Sequence, residues 1–597
     1  MIAAAAGAAS RTNMLLAVAA LLVLTFSAYH EAPANGYHLD DFHNIVQHAP
    51  IWLDKLTLSG LINAGREAFS PTRPLPSITF ALDWWRGGGD PAAFQWTNMG
   101  IHAAAALMVF ALLTLMLRQF LGRLSNHGLW CAFLGAAFWA VHPIQIQGVT
   151  YIVQRMASMA AFFTLLSVWS YAQGRLASKG NAFWFILCGL AALCGALSKE
   201  NAWVTPLLLL LAEYGLCRHN KPLIRGRLDY FWLSLPPLLG MLVVADLASG
   251  AGPLSRYALP GFAFRDFTLA ERLLTQPRVV LFHISQILWP LPERFSIEHS
   301  FSISTGLFRP FSTFIAIAAV FLWTGAGVRL LLKQNARLWG FCMLWVPATL
   351  AIESTAIPLE IIFEHRMYLP LAGLAGLLSL CLAAAARRGR TFARVTGGLA
   401  ALFVIACLAS TLQRVPDWRN RLSLYESALR NAPDSARTLG TLAMAYVEEG
   451  RLALAASMAR RALQLDPDEP YSLETLGITL MDRGRLDEAG QYFSRSFAQA
   501  GARASLMNHW GELMVKKGRY REALKMFRHS VKRMPWVSTY HWNIAVTYEH
   551  LNECLKARAH WDRFLQLEKN EKDRQAVREH LAEEYDAPGG KCSPRQK

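Results

Sequence analysis

Charge is scarce in this sequence. Asp, Glu, Lys and Arg make up 17% of 597 residues, against 53% hydrophobic residues, which excludes an ordinary soluble globular chain and points to a membrane class. Acid is scarcer than base: 42 Asp and Glu stand against 59 Lys and Arg, a net charge of +17. Such an excess raises nucleic acid as a partner. No basic-aromatic module of the known kinds occurs, however, and the basic residues largely sit in short loops between apolar runs, so no nucleic-acid binding is expected. Nine cysteines include no C-x-x-C pair, which argues against a zinc site or a disulfide framework. Seven of them (Cys131, Cys188, Cys194, Cys217, Cys342, Cys381, Cys407) fall in apolar segments and read as small core residues; Cys554 and Cys592 lie far downstream.

What is plentiful is apolar runs of about 20 residues, the length a transmembrane helix needs. They fall near 14–29, 97–117, 128–141, 153–172, 183–197, 202–217, 230–248, 311–331, 338–352, 367–386 and 395–412, eleven spans in all. The fold class expected is therefore all-α, a polytopic helical bundle over 1–413. With the N-terminus in the cytoplasm, the loops on that side carry Arg118 and Arg123; Arg175 and Lys179; Arg218, Lys221, Arg225 and Arg227; Arg329, Lys333 and Arg337; and Arg387, Arg388, Arg390 and Arg394, with Asp229 the one acid. Every one obeys the positive-inside rule. Residues 273–290 are apolar enough to span but would reverse the later basic loops, so they read as a re-entrant or interfacial segment on the outer side. The first span has a cleaved signal peptide as its alternative.

After residue 412 a 34-residue period takes over. Its small column is Ala443, Gly477, Gly511, Ala545; its turn column Gly450, Gly484, Gly518, Asn552; its second-helix column Ala455, Ala489, Ala523, Ala557; its large column Ala459, Phe493, Phe527, Trp561. That is the period of tetratricopeptide (TPR) repeats, an α-solenoid. The array is expected over 414–585, a half-repeat followed by repeats starting near 436, 470, 504 and 538, with 586–597 a disordered tail. Eleven spans place the array opposite the N-terminus, in the periplasm if the membrane is a bacterial inner membrane.

Four polar clusters fall on the outer side of this topology. The loop 30–96 carries Asp40-Asp41, Arg73-Pro74-Leu75 and Trp84-Trp85. The segment 142–155, HPIQIQGVTYIVQR, places His142 just outside the membrane, with Gln147, Tyr151 and Arg155 spaced as one stripe on a helix face. Ser198-Lys199-Glu200-Asn201 sits between two spans, and Glu364-His365-Arg366 opens the tenth. Taken singly, each has a plain reading: a solvated pair or helix cap, a snorkelling arginine, an ion pair at helix ends. Together they collect ionisable groups at one face rather than at the midplane, where a transporter or flippase would hold them.

The order of Gly36, Asp40-Asp41, Arg73-Pro74-Leu75, Trp96, Asn98, His102, His142-Pro143, Val149, Arg155, Lys199-Glu200 and Glu364, Arg366, Tyr368-Leu369-Pro370, followed by TPR repeats, resembles the transmembrane-and-TPR-containing protein O-mannosyltransferases and their bacterial relatives, of the GT-C superfamily. The likeness covers nearly the whole chain. One departure is Gln147, where animal members commonly carry an acid. The resemblance implies an inverting glycosyltransferase using a polyprenyl-phosphate sugar donor, with its catalytic acid in the first outer loop. Asp40 or Asp41 is then the general base toward an acceptor hydroxyl. Arg155, Lys199, Arg366 and His142 are candidates for the donor phosphate, where negative charge builds, with Gln147, Tyr151, Glu200, Glu364 and Arg73 in support. The acceptor expected is Ser or Thr of an exported protein recruited by the TPR surface. The alternatives are a glycan or lipid acceptor, or a non-catalytic membrane-anchored TPR scaffold for envelope assembly. No cofactor or metal is required; a divalent cation held by the carboxylate pair is the alternative.

Overall fold

The computed structural model describes residues 9–177, 181–218, scattered positions between 229 and 246, residue 256, and residues 259–568, 570–587 and 590–592. Apart from those scattered positions, the expected span 230–248 lies outside the described residues, as do Lys179, Lys221, Arg225, Arg227 and the last five residues of the expected tail. The chain forms two compact units, Met1–Leu424 and Tyr425–Lys597. Both are helical, and the only β pairing among the described residues is an isolated bridge between Gly306 and Arg309.

Among the described residues of the first unit six helices are long and apolar enough to cross a bilayer: Arg11–Ala34, Pro91–Leu121, Ile152–Leu176, Ser312–Leu332, Leu371–Arg388 and Arg390–Trp418. Asn126–Val141 and Pro143–Thr150, bent by 50°, make a seventh if counted as one span. Asn181–Ala196 is apolar but short. Residues 200–217 pass through 3-10, α and π turns, and Arg337–Leu350 has 14 residues. Eleven spans are therefore not reached by length and composition among the described residues. The outermost helices turn large apolar side chains away from the protein, among them Leu15, Ile186, Phe321 and Leu402. Lipid rather than water suits such faces, because every backbone polar group behind them is satisfied within its helix.

The helix Ile152–Leu176 gives this bundle two ends. At its C-terminal end the basic loops converge: Arg175 and Arg218 both bind the Glu213 carboxylate at 2.8 and 2.6 Å, Arg218 also binds Asp229 at 2.8 Å, and Arg337 donates to the Arg218 carbonyl. At its N-terminal end the helix is broken. Ile146–Thr150 is α-helical, Tyr151 is extended, Ile152–Gln154 is one 3-10 turn, and the α-helix resumes at Arg155. A break at membrane depth survives only where its freed carbonyls find donors. The helix Pro91–Leu121 supplies them: Gln95 donates to the Thr150 carbonyl, Asn98 to those of Val149 and Ile152, and His102 bridges the Ala140 carbonyl and the Tyr368 hydroxyl.

Residues 273–288 lie in the helix Leu269–Leu288, which starts on a capping box between Thr268 and Glu271 and ends just before Trp289 and Pro290. Both of its ends are tied to that same end of the bundle. Arg272 donates to carbonyls of residues 353–360, and the Ile287 carbonyl accepts from His142. A straight 20-residue helix is about 30 Å long, so one with both ends held there lies along the bundle end.

The second unit repeats one helix pair four times: Ala436–Glu448 with Leu452–Leu465, Pro470–Asp482 with Leu486–Ala500, Ala504–Lys516 with Tyr520–Arg533, and Ser538–His550 with Cys554–Leu567. Each pair turns through a left-handed residue at Gly450, Gly484, Gly518 or Asn552, a conformation that glycine and asparagine tolerate. The small and large columns meet. A side chain added at Gly477 would strike the Phe493 ring, and one at Gly511 the Phe527 ring. A further helix, Glu571–Leu581, closes the array by burying Val577, Leu581 and Tyr585. Glu549 ties it down, accepting from Trp561, His580 and Tyr585.

Two expectations fail at this end. Cys554 and Cys592 form a disulfide, 38 residues apart with Cα atoms separated by 5.4 Å. Part of the expected disordered tail is thereby anchored, and the Cys592 amide donates to the Glu584 carbonyl. Spacing rules for short cysteine motifs do not see a pair brought together by a helical cap. Cys554→Ser is expected to lower the stability of the C-terminal unit by about 2–4 kcal/mol, because the reduced chain regains a long loop's entropy. Thermal melting of residues 425–597 under oxidising and reducing conditions measures this.

Candidate active site

The two adjacent aspartates have opposite environments. Leu39 takes a positive φ of 46°, a strained conformation for a leucine. The turn leaves Asp40 exposed and Asp41 wholly buried. Asp41 Oδ2 accepts the His38 amide at 2.8 Å, and Oδ1 accepts the Val153 amide at 2.7 Å. The second bond caps the N-terminal end of the resumed helix from outside, with a carboxylate where the helix dipole favours one. Burial raises the pKa of the Asp41 carboxyl, and the His38 and Val153 amides, which favour the ionised form, pull it back down. Asp40 is held by its own backbone. Its amide donates to the Tyr151 hydroxyl at 2.9 Å, its carbonyl accepts from Asn44, and the Tyr151 hydroxyl also lies in hydrogen-bonding reach of its carboxylate. Tyr151 stacks on Trp418, whose carbonyl accepts from His38. Since Asp41 is engaged with amides and turned inward, the pair cannot chelate a cation with both carboxylates. Among the described residues, no group of three or more His, Cys, Asp or Glu side chains is placed to hold a metal.

A second cluster gathers cations from three segments. Arg73, at the start of the helix Pro74–Gly87, forms a forked pair with Glu200, with Nη2 at 2.8 Å from Oε2, and donates Nη1 to Met156 Sδ. Burial raises the Glu200 carboxyl, but the Arg73 fork outweighs it and holds the group below the usual range. Lys199, buried, places Nζ 2.8 Å from Glu353 Oε1. Arg366, buried, donates to the carbonyls of Ile361 and Glu360 and packs over Phe363. Burial lowers the pKa of Lys199; Glu353 opposes this, and the nearby charges of Arg73 and Arg366 add to it. These three cations therefore share one electrostatic neighbourhood, beside the helix that begins at Arg155.

The structure brings Gln147 and Glu364 together as well. Gln147 Nε2 donates to Glu364 Oε2 at 3.2 Å, and Glu364 Oε1 accepts from the Ser296 amide at 2.7 Å and from His299 at 3.0 Å. Two expected phosphate ligands are placed otherwise. His142 uses both ring nitrogens, accepting from the Ile144 amide and donating to the Ile287 carbonyl. Arg155 is fully buried, bound to Asp83 at 2.5 Å, Asn98 at 2.6 Å, Thr79 at 3.2 Å and the Phe94 carbonyl at 2.8 Å. Nor do Gln147, Tyr151 and Arg155 share one helix face, because the helix breaks at Tyr151.

Four residues that hold these clusters together escape a reading of sequence alone: Asp83, Arg272, His299 and Glu353. For Asp83 there was a signal, an acid inside an apolar helix, which is rare without a partner. Arg272 organises the loop that carries Glu353, donating to the carbonyls of Glu353, Thr355, Leu359 and Glu360. Its burial, helped by Arg366 and Arg265 nearby, lowers the guanidinium to about 9.

A family model described as tetratricopeptide repeat matches residues 419–470 and 441–503. Protein O-mannosyl-transferase TMTC2 of Mus musculus is 32% identical over 133 residues, 22% of this chain and 15% of that protein. Tmtc3 of Drosophila melanogaster is 22% identical over 441 residues, covering 64% of this chain and 46% of the relative. TMTC4 of Homo sapiens is 23% identical over 410 residues, covering 61% and 54%. The chain thus spans about half the length of the last two relatives and far less of the first. Among solved structures, a crystal structure of MamA is matched over 26% of this chain and 89% of that one, at 18% identity and a TM-score of 0.21, too low to say anything of the remainder. The chain is thus similar, over part of its length and at low identity, to the TMTC protein O-mannosyl-transferases.

Proposed function

We propose that the protein is a membrane glycosyltransferase that moves a sugar from a polyprenyl-phosphate carrier to a Ser or Thr hydroxyl of an exported protein. The observation that carries this reading is the contrast at Asp40 and Asp41: one carboxylate is buried and used to fix the turn, and the other is presented outward on that fixed turn. The acceptor oxygen attacks the anomeric carbon, and Asp40 takes its proton. The bond from the anomeric carbon to the phosphate oxygen breaks, its electron pair stays on the phosphate, and the anomeric centre inverts. Lys199 and Arg366, with Arg73 alongside, answer the charge that develops on the leaving phosphate. His142 and Arg155 act through the fold instead, the first by seating the helix Leu269–Leu288 and the second by holding the break that carries Tyr151.

The setting supports an outward-facing site. Basic loops converge at one end of the bundle and the two clusters at the other, as a bacterial inner membrane with a cytoplasmic N-terminus requires. The Cys554–Cys592 disulfide suits an oxidising compartment such as the periplasm for the TPR unit, and stacked helix pairs suit capture of an acceptor protein.

The test is transfer by the purified protein from polyprenyl-phosphate mannose, the sugar named in its relatives, to Ser- and Thr-containing polypeptides, read by mass spectrometry. A mass increase on the polypeptide supports the reading. Labelling of a glycan or lipid alone would move the acceptor class, and no transfer from any polyprenyl-phosphate sugar would favour a scaffold. Within the same assay, Lys199→Gln keeps a hydrogen bond to Glu353 but removes the charge. It is expected to weaken donor affinity about 10–100-fold, the worth of a charged hydrogen bond.

A further inference from the structure

We propose that Glu353 is a built-in occupant of the donor-phosphate site, pairing with Lys199 when the site is empty and yielding it to the phosphate of the lipid carrier. This rests on the assignment of Lys199 and Arg366 to the donor phosphate.

The three cations of the cluster are not engaged alike. Arg73 is committed to Glu200 through a fork, and Arg366 to two loop carbonyls. Lys199 has three donor hydrogens, and its side chain makes one polar contact, with Glu353 Oε1 at 2.8 Å. Both side chains are nearly enclosed, with 10% and 6% of their surface exposed. An ammonium so placed without an anion is costly, so an empty site needs a counter-ion of its own.

Glu353 is suited to leave as well as to stay, because its backbone is held without its side chain. The Glu353 carbonyl accepts from Arg272 at 2.7 Å, and the same guanidinium binds the carbonyls of Thr355, Leu359 and Glu360. The far side of the loop is held by Arg366 at Glu360 and Ile361, and by Gln276 at Ile361. The carboxylate can therefore rotate off Lys199 while the loop keeps its course. A phosphate and a carboxylate cannot share one ammonium at this burial without repelling each other, so donor binding and the Lys199–Glu353 pair exclude one another. The exchange replaces one anion by another and leaves the net charge around Lys199 nearly constant.

The experiment uses the full-length protein in detergent and a short-chain polyprenyl monophosphate as probe. Glu353→Gln keeps the shape and a hydrogen bond to Lys199 but removes the competing charge. The expected result is tighter probe binding by about tenfold, of the order of an ordinary coupling between two ligands, while Glu353→Asp, which keeps the charge, does not tighten it. In the wild-type protein, carbodiimide modification of Glu353, read by mass spectrometry, is expected to rise when the probe is added. Unchanged or weaker binding by Glu353→Gln, or no rise in Glu353 modification, would overturn the proposal, and the labelling arm stands even where the variant does not fold. Lys199→Gln separates the two levels. If it leaves probe affinity unaltered, the donor-site assignment itself fails. If it weakens binding while Glu353→Gln does not strengthen it, only the exchange fails.

Discussion

Asp40→Asn is expected to lower sugar transfer by about 10²–10⁴-fold, the range for loss of a general base, with the melting temperature unchanged. The side chain is exposed, its one neighbour being the Tyr151 hydroxyl, which an amide oxygen can meet as well; the bonds that fix this residue come from its amide and its carbonyl, which the substitution leaves in place. Donor affinity should also hold, because no phosphate ligand is altered, so the loss appears in kcat with KM steady. Asp41→Asn should behave in the opposite way. Its carboxylate accepts two backbone amides, and an amide side chain can accept at one oxygen only, turning an N–H toward the other donor. A buried donor left facing a donor costs about 1–3 kcal/mol, so this variant should melt earlier and lose activity as Asp40 drifts from its place. The measurement is transfer rate and melting temperature on the same preparations. A stable, inactive Asp41→Asn beside an active Asp40→Asn would exchange the two roles.

The pair also shows what a sequence can carry. Asp40 and Asp41 stood out as adjacent acids beside a membrane span, but their division of labour depends on the φ of Leu39 and on an amide 112 residues away at Val153. The TPR repeats were legible because a repeat writes its packing into columns: Gly477 opposite Phe493 and Gly511 opposite Phe527 are visible as a 34-residue period. The apolar spans were legible as runs, and their interruptions were not. Gln147, Tyr151 and Arg155 read as one helix face because propensity and hydropathy say nothing of Gln95 and Asn98, which reach from another helix to satisfy the carbonyls of the break. Glu353 and Arg272 were missed for a similar reason: each lies in a segment read as a loop or an apolar run, and its meaning comes from the partner across the fold.

Arg155→Ala is expected to destabilise the protein by about 3–5 kcal/mol, the cost of removing one partner of a buried ion pair together with its hydrogen bonds. The guanidinium is fully enclosed and its partner Asp83 is nearly so, at 2.5 Å. Removing it leaves Asp83 Oδ2 without its buried cation, with only the half-exposed Arg86 at Oδ1, and Asn98 Oδ1 without its donor, and Asn98 is the residue that holds the carbonyls of Val149 and Ile152. The damage should therefore spread to the break, and through Tyr151 to Asp40. Arg155→Lys should rescue little, since one ammonium cannot reach Asp83, Asn98, Thr79 and the Phe94 carbonyl together. Asp83→Asn with Arg155→Met, which removes both buried charges, should recover part of the stability lost by Arg155→Ala, because part of the penalty comes from a buried carboxylate held only by the half-exposed Arg86. Melting temperature in detergent, followed across the three variants and the wild-type protein, tests this against a direct role at the donor phosphate. A phosphate ligand would lose donor affinity with little change in melting, and the double variant would be no better than the single one. Recovery of stability in the double variant, with transfer returning in proportion, would place Arg155 in the frame that holds the base.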